Sequence, residues 1–375
     1  MSRFTNMQWK KWTGLLLLCL SYQIATAQVA GGQRTMEFLR LPNAPRISSL
    51  GGINVANPDQ DISFALQNPA LMRPGLHNQL GLNYNAYYAG ISIANLQYGY
   101  HAEKIKTSFV FGVQYLNYGN LTKTDEFGNE QGSFRANEYA ITLGASRQYG
   151  EHWRYGAALK WAHSSLFDKT ASAVLADIGV NYYDTASLLD FGIVAKNMGF
   201  MAKKYNPNNS AEPLPFDLQL GISKRFAHLP LRLMATVHHL YEWDIRYDNP
   251  ADVENSTVFG TNDTATDTKS HFGDKLFRHF IFGAEVLLGK RLTVGVGYNH
   301  LHRAELAIQD KTGLAGFSFG LGINLNKFHI QYSRSYYHIA GASNEFGINM
   351  TLNKLFGIGK AGDKINWGKS YPDWQ

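Results

Sequence analysis

The chain has 375 residues and a formal net charge of +6, with no basic or acidic tract. Only 17% of its residues are charged and one is cysteine, while Gly (36), Tyr (21) and Phe (22) are abundant. Mild, dispersed charge argues against nucleic-acid binding, and a mean hydropathy of −0.26 argues against a bundle of membrane helices.

The first element is an export signal. "MSRFTNMQWKKWTGLLLLCLSYQIATAQ" sets Lys10 and Lys11 before an apolar run over 12–20, then Ala25-Thr26-Ala27. This is the order of a signal peptide, residues 1–27, cleaved after a small-x-small site. The apolar run is too short to span a bilayer as a helix. A lipoprotein anchor at Cys19 fits poorly, because bulky Leu18 and Leu20 flank it. Cleavage after Ala27 leaves a chain with no cysteine, so an exported product must be stabilised without disulfides. A closed barrel would do that.

Residues 28–78 do not alternate. Gly51-Gly52, Asn57-Pro58, Asn68-Pro69 and Pro74-Gly75 punctuate the stretch as turns, with a short helix expected over 59–66. Such a segment suits the lumen of a barrel. It is either a hatch over a ligand path or a packed strut filling the bore, and the strut is the simpler reading.

From Gln79 onward the chain alternates with period two. In "FDLQLGIS", Phe216, Leu218, Leu220 and Ile222 share one face, and Asp217, Gln219, Gly221 and Ser223 share the other. "RLTVGVGYN", "GFSFGLGINL" and "EFGINMTL" repeat the pattern. About fourteen strands are expected, near 79–88, 90–101, 106–116, 133–147, 152–163, 173–183, 189–197, 213–225, 230–240, 277–289, 291–301, 313–325, 327–336 and 343–352. Their length, their terminal aromatics and the recurring apolar row point to an all-β transmembrane barrel of antiparallel strands in the outer membrane. Lipid leaves no partner for an open sheet edge, so the sheet has to close. The connections agree: those after even strands are mostly short, and the long ones, near 117–132, 164–172, 198–212, 241–276 and 302–312, follow odd strands. Both termini are then expected in the periplasm. Residues 79–352 form the barrel and 353–375 a periplasmic tail.

"VHHLYEWDIRYDNP", residues 237–250, looks at first like a ligand cluster. If the ninth strand stays regular, His238 and His239 point to opposite faces and cannot share a metal. Parity then places His239, Tyr241 and Trp243 in an aromatic girdle at the outer membrane rim, and no metal site is expected. His163 and His302, at strand ends, read as rim residues. No G-x-S-x-G or P-loop occurs, and the G-x-G pairs lie within strands, where glycines leave lumenal space. Neither catalytic residues nor cofactors are expected, and the chain reads as no enzyme. The stretch Asp244, Arg246, Tyr247, Asp248, Asn249 and Pro250 opens the longest loop, which is a solvated loop or a docking surface for a partner.

A Gly-rich "LGGINVA" followed by "DISFALQNPALM" resembles the start of the FadL family of fourteen-stranded outer-membrane proteins. There an N-terminal hatch carries an Asn-Pro-Ala turn, matched here by Asn68, Pro69 and Ala70. "FLRLPNAPRISSLGGINVA", "EPLPFDLQLGISKRFAHLPLRL" and "HHLYEWDIRYDNP" resemble the PorQ branch, outer-membrane components of the type IX secretion system of Bacteroidetes. The resemblance spans most of the exported chain. It implies a non-enzymatic barrel anchoring a cell-surface attachment complex. Its partners would be a PorZ-like surface protein, a PorU-like sortase and a PorV-like barrel. That complex processes secreted cargo and joins it to anionic lipopolysaccharide. The alternative is a FadL-like transporter of hydrophobic molecules. A lipid-modifying enzyme is a weaker third.

Overall fold

The computed structural model describes residues 34–208, 210–245, 272–289, 291–305, 313–338 and 341–356. The expected signal peptide, most of the long loop and most of the C-terminal tail lie outside them.

Fourteen antiparallel strands close into a barrel in which each strand pairs with its neighbours in sequence. They are β1 (Gln79–Ala86), β2 (Ser92–Ala102), β3 (Thr107–Thr124), β4 (Glu130–Tyr149), β5 (Trp153–Leu166), β6 (Lys169–Asp184), β7 (Leu189–Lys203), β8 (Asp217–Arg225), β9 (Leu231–Val237), β10 (Phe280–Leu288), β11 (Leu292–Asn299), β12 (Phe317–Asn324), β13 (Phe328–His338) and β14 (Gly341–Thr351). The register from Gln79↔Thr351 to Ala86↔Asn344 joins β1 to β14 and removes both sheet edges. Among the described residues four short α-helices accompany the ring: α1 (Pro45–Ser49), α2 (Phe272–Arg278), α3 (His300–Glu305) and α4 (Leu352–Phe356). No described helix is long and apolar enough to cross a membrane.

Period-two alternation sorts the two faces. In β8, Asp217, Gln219, Gly221 and Ser223 are buried, while Leu218, Leu220 and Ile222 lie on the more exposed face. Outward residues such as Leu159 (66% exposed) and Phe346 (57%) belong to an apolar exterior that recurs around the ring. A continuous apolar surface of this kind is far larger than water-soluble monomers expose, and it is the lipid-facing band of an outer-membrane barrel.

Several strands depart from the expected bounds. β3 and β4 continue as a hairpin through much of the expected loop 117–132, and β7 runs on to Lys203. The β3–β4 extension carries polar residues on both faces and so shows no clean alternation in sequence, whereas the added part of β7 brings Met198, Phe200 and Met201. The hairpin tip is instead fixed by Asp125, whose Oδ1 accepts from Phe127 N (3.0 Å) and Asn129 N (2.8 Å). β9 stops at Val237, three residues before its expected end at 240.

The N-terminal segment lies inside the ring. The 3-10 turn Ile62–Leu66 contacts β1 to β3, the 3-10 turn Pro69–Leu71 contacts β4 to β6, and α1 contacts β11 to β14. The helix expected over 59–66 is thus a shorter 3-10 turn, capped by Asp61, whose Oδ1 accepts from Ser63 N at 2.9 Å. Wall glycines admit the segment's backbone: a Cβ on Gly192 would sit 2.1 Å from Val55 O, and one on Gly156 would sit 2.5 Å from Pro69 C. The small residues in the lumenal row therefore mark where the segment presses on the wall.

Candidate functional site: a fastened N-terminal segment and the cavity beside it

Two features occupy the bore. The first is a cluster of four charges. Arg46, on α1, meets Asp59 at 2.5 Å and Glu285, on β10, at 2.6 Å. Arg232, on β9, meets the same Asp59 at 2.8 Å and Glu285 at 3.2 Å, and donates to Asn57 Oδ1 at 2.7 Å. The two cations and two anions balance. Burial alone would raise the Asp59 pKa, but Arg46 and Arg232 outweigh it and hold the carboxyl well below the usual carboxylate range. Glu285 is fully buried, and Arg46 and Arg232 nearly so. Because Arg46 and Asp59 belong to the N-terminal segment and Arg232 and Glu285 to the wall, the cluster ties one to the other.

Further bonds tie other sides. Arg73 donates to Asn181 Oδ1 (3.2 Å), Asn83 Nδ2 and Gln97 Nε2 both donate to Asn43 O (3.1 Å), and Gln331 Nε2 donates to Asp61 Oδ2 (2.6 Å). Ser48 donates to Glu345. Asn68 is wholly buried: its Oδ1 accepts from Ala70 N (3.0 Å) and its Nδ2 donates to Val55 O (3.0 Å). The Asn68-Pro69-Ala70 turn is thus braced on both sides.

The second feature is a cavity of ≈ 350 Å³ between the N-terminal segment and the barrel end that carries the longer connections. Leu39, Leu41 and Leu301 give it an apolar side, and Arg40, Lys196, Asp217, His238, His239 and His302 a polar one. The expectation that His302 is a rim residue fails: α3 turns it into this cavity, and burial pushes its imidazole pKa down to about 4.

The expected split of His238 from His239 also fails. The strand ends at Val237, and His239 adopts the left-handed region at φ 55°. The turn is stitched by His238 N to His279 O (3.0 Å), His239 N to Asp217 Oδ1 (2.7 Å) and Leu240 N to Leu218 O (3.1 Å). Both rings consequently face inward, and His239 is buried rather than part of an outer girdle. Tyr241 and Trp243 remain exposed, with the Tyr241 hydroxyl accepting from Arg34 Nη1 at 2.5 Å. Asp217, His238 and His239 each place one potential metal-ligand atom within 4.8 Å of the others, which parity had excluded. Nothing in "VHH" marks the break: it depends on Asp217, which is 22 residues before His239 on the neighbouring strand.

Asp244 pairs with Lys275 of α2 at 2.6 Å, so the stem of the long loop is held to that helix. Arg246, Tyr247, Asp248, Asn249 and Pro250 lie outside the described residues.

No protein-family model and no curated protein sequence matches the chain. Among solved structures it is similar to the TodX monoaromatic hydrocarbon channel (ΔS2 mutant), with a TM-score of 0.46 and 13% identity over 83% of this chain and 97% of that one. The CymD monoaromatic hydrocarbon channel gives the same values. A Pseudomonas aeruginosa FadL homologue gives a TM-score of 0.39 and 12% identity over 87% of this chain and 98% of that one. At these values the fold assignment stands on the chain's own closure, strand count and register: it is a closed fourteen-stranded antiparallel β-barrel of the outer-membrane type.

Proposed function

We propose that the chain is a plugged, non-enzymatic outer-membrane barrel serving as a fixed platform for a surface-attachment complex of the type IX kind. The supporting observation is the fastening of the N-terminal segment by the Arg46–Asp59–Arg232–Glu285 cluster, with further bonds on several sides of the bore. A barrel so filled suits a static membrane mount whose working surface lies at its loops. The PorQ-like motifs supply the partners: a PorZ-like surface protein, a PorU-like sortase and a PorV-like barrel, acting beside lipopolysaccharide. The longest connections, after β7, β9 and β11, follow odd strands, so by the usual asymmetry of bacterial barrels that end faces outward and both termini face the periplasm. The stem at Asp244 and the stretch from Arg246 to Pro250 are the proposed docking region.

A second reading is favoured by the ≈ 350 Å³ cavity. That volume suits a small ligand, and a FadL-like transporter would hold a hydrophobic molecule there before the plug rearranges. The TodX and CymD channels are named for monoaromatic hydrocarbons. One experiment separates the two: purify the barrel from native membranes with and without residues 246–271. A defined set of surface proteins, lost with that deletion, supports the platform. A barrel that purifies alone and passes a hydrophobic probe into liposomes refutes it and supports transport.

A further inference from the structure

The turn after β9 makes a pocket of ligand atoms that neither reading uses. His238 Nδ1 and His239 Nδ1 lie against each other, and His239 Nδ1 is 4.0 Å from Asp217 Oδ2. All three residues are buried, and all three line the cavity. His238 Nε2, on a side chain 1% exposed, has no hydrogen-bond partner. We propose that Asp217, His238 and His239 form a binding site for a divalent transition-metal ion of the zinc class, with a fourth coordination position open to the cavity.

The geometry carries this. Zinc takes imidazole nitrogen and carboxylate oxygen at about 2.0–2.1 Å, so the edges of a tetrahedral site are about 3.3 Å. The three ligand atoms already lie within 4.8 Å of one another. Small ring rotations that part the two Nδ1 atoms and draw in the carboxylate complete three corners. Two facing imidazole nitrogens are a poor pair without a shared proton, and a cation between them resolves the contact. Outer contacts orient the ligands: Asp217 Oδ1 accepts from His239 N at 2.7 Å, and its Oδ2 accepts from Gln219 Nε2 at 2.8 Å. Three protein ligands with an open corner describe an exchangeable site rather than a closed structural one. The ion would also lock the inward turn that leads into the long loop. The site does not depend on the platform reading.

The test uses the full chain without a histidine tag, purified in detergent, stripped with a chelator and titrated with Co²⁺, then competed with Zn²⁺. One Co²⁺ per chain with the absorption of a four-coordinate site, displaced by Zn²⁺, is expected. Asp217→Asn keeps the acceptor for His239 N. His239→Asn keeps a residue that tolerates the left-handed turn. Each is expected to weaken binding by more than about tenfold while heat-modifiable migration still shows a folded barrel. Absence of saturable binding in the wild type overturns the site, as does binding that the folded Asp217→Asn protein retains unchanged. Should His239→Asn fail to fold, Asp217→Asn alone decides.

Discussion

Glu285→Gln is the sharpest probe of the proposed plug, the fastened N-terminal segment. Glu285 accepts from Arg46 Nε at 2.6 Å, from Arg46 Nη2 at 2.9 Å and from Arg232 Nη1 at 3.2 Å. A glutamine keeps the shape but has a single acceptor oxygen. Its amide hydrogens face guanidinium groups, and the quartet is left with an uncompensated buried positive charge. Removing one partner of a buried ion pair costs about 3–5 kcal/mol. Asp59 still serves both arginines, so the low end, about 3 kcal/mol, is expected here. At 1.4 kcal/mol per decade, that is about a hundredfold rise in the fraction of molecules whose plug is detached. The barrel ladder is untouched, so the loss falls on the plug and not on the ring. Two assays read it: protease cutting between 34 and 78 in folded, detergent-purified protein, and single-barrel conductance in planar bilayers. Both should rise. Adding Arg232→Gln to Glu285→Gln restores charge balance between Arg46 and Asp59 and should recover part of the loss, a coupling that a double-mutant cycle measures. If Glu285→Gln matches wild type in both assays, the cluster is not what holds the segment.

Other consequences follow from the same contacts. Lowering pH should release the plug only in strong acid: the folded pKa of Asp59 lies below its unfolded value, so its stabilisation is complete above about pH 4 and is lost as pH falls through the folded value. Plug protease sensitivity that rises already near pH 6 would contradict this. Gly192→Ala forces a Cβ to within 2.1 Å of Val55 O and should cost about 1–3 kcal/mol, read as a lower thermal midpoint of plug release. An unchanged midpoint would mean the wall yields freely there. Asn68→Ala removes the cap on Ala70 N and should cost about 1 kcal/mol, with no change in strand content by circular dichroism. Leu159→Arg, on the exterior of β5, should lower folding stability in lipid vesicles by about 2–4 kcal/mol if it sits at the bilayer midplane, and a neutral effect would argue against a lipid-facing role for that row.

What was legible in the sequence, and what was not, divides along one physical line. A strand with one face in lipid and one in the lumen must alternate, so the count of fourteen strands and the inward placement of residues such as Asp217 and Gln219 could be read from single residues. Strand ends are different. Beyond the bilayer both faces are wet, alternation stops carrying information, and length is set by ladder bonds and turns such as the one Asp125 closes. That is why β3 and β4 run longer than the pattern suggests.

At β9 the opposite holds: the strand ends at Val237, and parity governs nothing beyond it. His239 at φ 55° reverses the chain one residue after His238, so two neighbours that alternation would separate come to share one side. The information for that reversal sits in tertiary partners, Asp217 Oδ1 for His239 N and His279 O for His238 N, and not in the local string. The candidate site therefore arises where the regular sheet gives out. A lumenal carboxylate at the start of β8 meets the irregular chain leaving β9, beside a cavity bounded by the N-terminal segment. Regular strands hold the wall, and they can place a ligand on only one residue in two. Bringing consecutive histidines onto one ion requires the wall to break, and the break falls where the chain leaves the membrane for its longest loop.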